Sequence, residues 1–106
     1  MTELSSEDAK ILTLARSALA RSGGVAGAAV RDDIGRTYAA GPVDLPSLRL
    51  TALQAAVAAA VSSGSGRFEA VAVVSESGLG SDDLALLQDV GDPQVLDADP
   101  SGALRA

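Results

Sequence analysis

The sequence predicts an α/β domain in which helices flank a mixed sheet, with elements in the order αββαβαβ and the start of one further strand. Three observations carry this. Apolar residues recur at helical spacing around 6–22, 48–63 and 82–90. Between these segments lie short runs of small or β-branched residues, of which "FEAVAVVS" (68–75) is the most continuous. Gly, Ser and Pro clusters mark the junctions. Strands joined through a helix cross over and return roughly parallel, while strands joined by a tight turn run antiparallel, so the sheet is mixed.

The first helix, 6–22, is capped by Ser5 or Ser6, with Glu7 and Asp8 in the first turn where the dipole favours acids. Leu4, Ile11, Leu12, Ala15, Ala18 and Leu19 form its apolar stripe, and "SGG" (22–24) stops it. Val25–Arg31 and Arg36–Ala40 then read as a hairpin turning at Asp32-Asp33-Ile34-Gly35, with Gly35 left-handed. The small residues Gly27, Ala28 and Ala29 require something to pack closely over the first strand. "GPVDLP" is a connector. Ser47 is expected to cap a helix from about Leu48 to Ser63, apolar nearly all round, with Leu50, Leu53, Val57 and Val61 on one side. Phe68–Ser75 is a central buried strand. Asp82–Val90 is a helix capped by Ser81 or Asp82, with Leu84, Leu87 and Val90 facing inward. "PQVLDAD" is a fourth strand, "DPSG" a turn, and Ala103–Ala106 at most the start of a fifth strand. There are no repeats, and residues 1–106 read as one domain.

Composition narrows the chemistry. Of the 106 residues 47 % are hydrophobic, which favours a folded domain, but Tyr38 and Phe68 are the only aromatics, so large anchors for a pocket are scarce. Cys and His are absent. Disulfides, thiolate or imidazole metal ligation, Cys nucleophiles and His bases are therefore excluded. Net charge is −6, and residues 76–106 carry seven acids against Arg105 alone. Such a surface repels phosphate backbones, so nucleic acid is not an expected partner. It reads as a solvated acidic face, or alternatively as a docking face for a basic protein. The polar start "MTELSSEDAK" has no signal-peptide pattern, and the apolar run of 48–63 is interrupted by Arg49, Thr51 and Gln54, so neither a membrane span nor export is expected and the expected location is cytoplasmic.

Several phrases resemble the small cytidine deaminase family: "GAAVRDDIGRTYAAG" its first hairpin, "TALQAAVAAAVSSG" its zinc-bearing central helix, "FEAVAVVSESG" its third strand, and "DLALLQDVGDPQVLDADPSG" its last helix, strand and turn. The resemblance implies a three-layer α/β/α fold. In that family the central helix starts with Cys-Ala-Glu or His-Ala-Glu and the next with Pro-Cys-x-x-Cys. Three ligands then leave one zinc position for water, and the Glu moves the proton. With Gly64 and Gly91 setting the register, the resemblance puts Thr51, Gly80 and Asp83 at the three ligand positions, Leu53 at the glutamate and Leu79 at the proline. The family's Asn-x-Glu-Asn stretch is replaced by "AAGPVDLPS". Asp44, Arg49 and Gln54 remain as candidates for a remnant pocket.

From these substitutions the sequence reading expects no zinc, no other cofactor and no enzyme. It expects a binding or assembly module, homo-oligomeric through helix 48–63. Its alternatives are a nucleoside deaminase or hydrolase working with other residues, and a nucleoside-binding sensor. Two acidic pairs have competing readings. Asp82-Asp83, near Asp89, is a hard-cation site or a helix cap; Asp32-Asp33 is an acid–base pair or a solvated turn. In both, the structural role is the expected one. Lys10, mid-helix among polar neighbours, is not expected to be an activated amine.

Overall fold

Ser5, itself in an extended conformation, caps α1 (Ser6–Arg21): its hydroxyl accepts a hydrogen bond from the Asp8 amide at 3.0 Å. The structure is a computed structural model that describes residues 4–105. After α1, the chain turns through Gly23 and Gly24, both at positive φ, into β1 (Ala26–Asp32) and β2 (Thr37–Ala40), which form the expected hairpin. Gly35 in its turn has φ +88°.

The next segment departs from the sequence reading. Residues 48–50 are not helical. Val43–Leu45 (β3) and Leu48–Leu50 (β4) pair as a small antiparallel ribbon about a Pro46-Ser47 turn. Helix α2 (Ala52–Ser62) is capped by Thr51, not Ser47. The reason is a reciprocal capping box: the Gln54 amide donates to Thr51 Oγ1 at 3.0 Å, and the Thr51 amide donates to Gln54 Oε1 at 2.8 Å. Ser47 has no comparable partner three residues on, since position 50 is Leu. Nor is α2 buried all round. Leu53, Ala56, Val57 and Ala60 face the core, Ala58, Ala59 and Val61 face outward, and Leu50 belongs to β4.

Then come β5 (Phe68–Ser75), as the sequence predicts, α3 (Ser81–Asp89) and β6 (Gln94–Ala98). The N-cap of α3 is Gly80, with no side-chain cap, so neither Ser81 nor Asp82 caps it. Leu87 is buried, but Leu84 is 52 % exposed rather than inward. After β6, among the described residues, the fifth strand amounts to one antiparallel bridge, Ala98 with Leu104, and Ala106 lies outside those residues.

The main sheet has the order β2-β1-β5-β6, antiparallel except for the parallel β5–β6 pair. The period of two sends neighbouring residues to opposite faces. Ala29, Ala70, Ala72 and Val74 meet Ile11 and Ala15 of α1; Ala28, Val30, Val71 and Val73 meet Leu53, Ala56 and Val57 of α2, joined by Leu87 of α3. The result is the three-layer arrangement. The close approach expected over β1 is made by α1: a Cβ on Gly27 would lie 2.0 Å from the Ala15 carbonyl oxygen and 2.4 Å from the Leu19 nitrogen. The start of α1 is tied down by Asp8, which accepts from Arg31 at 3.1 Å; Arg31 also bonds Glu69 at 2.7 Å. Among the described residues no helix is long and apolar enough to cross a membrane.

Candidate functional site

At the end of the sheet where β5 finishes, the starts of α2 and α3 converge on a cleft of about 470 Å³. Val25, Pro42, Leu53, Val73 and Leu79 give it hydrocarbon walls, and Thr51, Ser75, Asp82 and Asp83 bring polar atoms. A second lobe of about 560 Å³ shares Val25, Pro42, Thr51 and Asp82 with the first. Ligand sites generally have this character, mostly apolar with a few convergent polar groups.

The closed end is built on one contact. Thr51, held by its capping box, donates its hydroxyl to Asp83 Oδ1 at 2.6 Å. The Thr51 oxygen also accepts from the Gln54 amide, so the hydroxyl proton is directed at the carboxylate. Asp83 is only 6 % exposed, and the rest of its carboxylate is left for the cleft it lines. It does not cap α3, although it stands in the first turn, where the helix dipole favours its charge. Leu53 is 1 % exposed and packs under the same end.

The structure thus brings Thr51, Asp83 and Leu53 to one place and sets Gly80 at the N-cap of α3, one turn from Asp83. Asp44, Arg49 and Gln54 line the second lobe together. Arg49 pairs with Asp44 at 3.3 Å, with both side chains largely in solvent. The Gln54 carbonyl oxygen is occupied by the Thr51 amide. Arg49 stands on β4 and not, as expected, on the helix.

The other acidic pair is not a solvated turn. Asp33 is exposed, but Asp32 is fully buried. Its oxygens accept from Ser65 Oγ at 2.8 Å, Arg36 Nε at 2.7 Å, the Arg36 amide at 2.8 Å and the Ile34 amide at 3.1 Å. Burial pushes this carboxyl upward, but the bonds from Ser65, Arg36 and the two amides outweigh it and hold the pKa at about 2. Asp97 pairs with Arg105, and Asp99 accepts from the amides of Ser101 and Ala103 within its turn. Lys10 is exposed. Among the described residues no three Asp or Glu side chains gather where one metal ion could bind.

The sequence reading missed the Thr51–Asp83 bond and the burial of Asp32. A signal for the first was present: "TALQ" is a capping-box pattern, and it fixes Thr51 at a helix start.

The Cytidine deaminase-like family model matches residues 4–102, and the chain belongs to that family. Among solved structures, it is similar to the cytidine deaminase of Burkholderia pseudomallei, with a TM-score of 0.78 and 22 % identity over 99 % of this chain and 91 % of that one. It is also similar to the cytidine deaminase of Mycobacterium tuberculosis, with a TM-score of 0.69 and 28 % identity over 92 % and 87 %. The Mycobacterium leprae cytidine deaminase gives 0.67 and 22 % over 89 % and 88 %. No curated protein matches the chain.

These findings correct one expectation. The reading that the chain is no enzyme does not stand, because the structures it matches over most of their length are cytidine deaminases, which are enzymes. The zinc that the resemblance implies is a separate question, decided by the donors. Gly80 offers no side chain, Thr51 has committed its proton to Asp83, and the chain holds no thiolate or imidazole. One carboxylate and one hydroxyl, already bonded to each other, do not make a three-ligand zinc site.

Proposed function

We propose that the cleft between the starts of α2 and α3 receives a pyrimidine nucleoside, and that Asp83, oriented by Thr51, is the group through which the protein acts on it. The observation that carries this reading is the buried carboxylate in a mostly apolar cleft of about 470 Å³. The size falls within the usual range for small-molecule sites. The cytidine deaminases of similar fold supply the ligand class. A carboxylate accepts a hydrogen bond from an exocyclic amine and takes up or returns a proton. Chemistry at this site is therefore Brønsted chemistry: water adds to the ring carbon that bears the amine, Asp83 takes the proton of that water and passes it to the amine, and the C–N bond breaks to release ammonia, while Thr51 steadies the carboxylate and Leu53 and Leu79 keep bulk water back. General acid–base catalysis of this kind supplies about 10²–10⁴-fold, which sets the scale of turnover to look for.

Two measurements on one preparation test this. Thermal unfolding with cytidine, uridine and their deoxy forms reads binding, because a ligand of the folded state alone raises the midpoint. Ammonia release from cytidine reads turnover, and Asp83→Asn should remove it while the protein stays folded. A midpoint unmoved by every nucleoside would end the proposal. The reading also includes self-association through the outward Ala58, Ala59 and Val61 face of α2, which light scattering reads as a mass above that of one chain.

A further inference from the structure

The loop 76–80 between β5 and α3 forms one wall of the cleft, through Ser77, Gly78, Leu79 and Gly80. Two glycines in five residues make it a pliable wall, and Gly78 takes the left-handed φ of +79°. It is nevertheless held, by a residue far along the chain. Beyond the Asp99–Ala103 turn, the Arg105 amide donates to the Asp97 carbonyl at 2.7 Å and Leu104 bridges Ala98, which aims the Arg105 side chain back across the ends of β5 and β6. Its Nη1 donates to Asp97 Oδ1 at 2.9 Å and to the Ala98 carbonyl at 2.8 Å. Its Nη2 donates to the carbonyls of Ser75 and Glu76, the latter at 2.7 Å. Ser75 continues the chain of contacts, because its Oγ accepts from the Gly78 amide at 3.0 Å.

We infer that Arg105 is a positioning residue of the cleft: its guanidinium gathers the carbonyls where β5 gives way to the loop 76–80 and so fixes that wall opposite Thr51 and Asp83. The fork geometry matters. One planar group with rigidly spaced donors serves two strand carbonyls, the first loop carbonyl and a carboxylate at once, which a lysine ammonium on a flexible stem does not. The charge matters as well, since hydrogen bonds from a charged donor are stronger than those between neutral groups. Arg105 is the only cation among residues 76–106, so no neighbour in that stretch can replace it.

Amide hydrogen exchange of the unliganded protein tests this without reference to any ligand. Arg105→Ala should speed exchange of residues 76–80 by about tenfold or more, with α1 unchanged, because charge-assisted bonds to those carbonyls are lost. Arg105→Lys should restore only part of the protection. Asp97→Asn removes the ion pair but keeps the carbonyl bonds, and should leave the loop within about twofold of wild type. Unchanged exchange in Arg105→Ala overturns the inference, as does an equal increase in Asp97→Asn, which would make the ion pair the whole effect. The effect on ligand rests on the nucleoside reading: at a temperature where both proteins are folded, cytidine should bind Arg105→Ala about tenfold more weakly than wild type. Should wild type bind no nucleoside, that reading fails, while the exchange data still decide the role of Arg105.

Discussion

Asp32 and Asp83 are both buried carboxylates at opposite ends of one sheet, yet their oxygens are used differently. Asp32 accepts from four donors, two side chains and two backbone amides, all within the turn end of the hairpin and the loop before β5. Among the described residues Asp83 accepts from one side chain, Thr51, and it lines a cleft. A carboxylate with four partners is saturated and can only hold structure. One with a single partner keeps capacity for a ligand. Sequence alone makes the two look alike, since each belongs to an Asp-Asp pair beside a turn or helix start. Only the partners tell them apart.

The largest effect comes from a change that both ends share. Gly27→Ala places a methyl group inside the contact between β1 and the α1 backbone, where neither side is a flexible side chain. The strand must move, at about 3 kcal/mol or more, and denaturant unfolding should show it. Both ends should suffer together, and a mild effect there would mean that α1 is held less tightly than the geometry requires.

Next comes Asp32→Ala. It leaves the Ser65 hydroxyl, the Arg36 guanidinium and two amides without their acceptor, so the thermal midpoint should fall by on the order of 10 °C. Acid should act through the same residue. The folded pKa of about 2 lies below the ordinary aspartate value of 3.8, so the stabilisation is complete above 3.8 and is lost as pH falls through about 2. Stability measured from pH 5 to pH 2 should decline in that window, and Asp32→Asn should flatten the decline.

Thr51→Val should cost about 1 kcal/mol, the usual loss of an N-cap, and it also frees Asp83 to reorient. Asp83→Asn should change stability least, by under about 1 kcal/mol, because the amide still accepts from Thr51. If the order of Asp32→Ala and Asp83→Asn were reversed, the contrast between a structural and a ligand-facing carboxylate would fail.

How much of this was legible in the sequence depended on the length of the signal. The continuous run 68–75 and the stripe of Ile11, Ala15 and Ala18 gave β5 and α1 almost to the residue, because β5 is buried along nearly its whole length and α1 buries one regularly spaced stripe. The β3–β4 ribbon was lost to a competing period. "VDL" and "LRL" alternate as strands do, but Leu50, Leu53 and Val57 also fall at helical spacing, and three-residue strands cannot outweigh a helix pattern. The site was legible as positions but not as contacts. Thr51 and Asp83 lie 32 residues apart, and no local rule says that a cap hydroxyl will donate to a carboxylate on another helix. The saturation of Asp32 was equally hidden, since Ser65 lies in a Gly-Ser loop that reads as plain linker.

The central claim is that the Asp83 end of the sheet receives a pyrimidine nucleoside. Calorimetric titration of cytidine into wild type and into folded Asp83→Asn tests it most directly. Saturable one-to-one binding to wild type, weakened at least about tenfold in the variant, is the predicted result. Equal affinity in the two proteins, or no heat of binding in wild type, would contradict it.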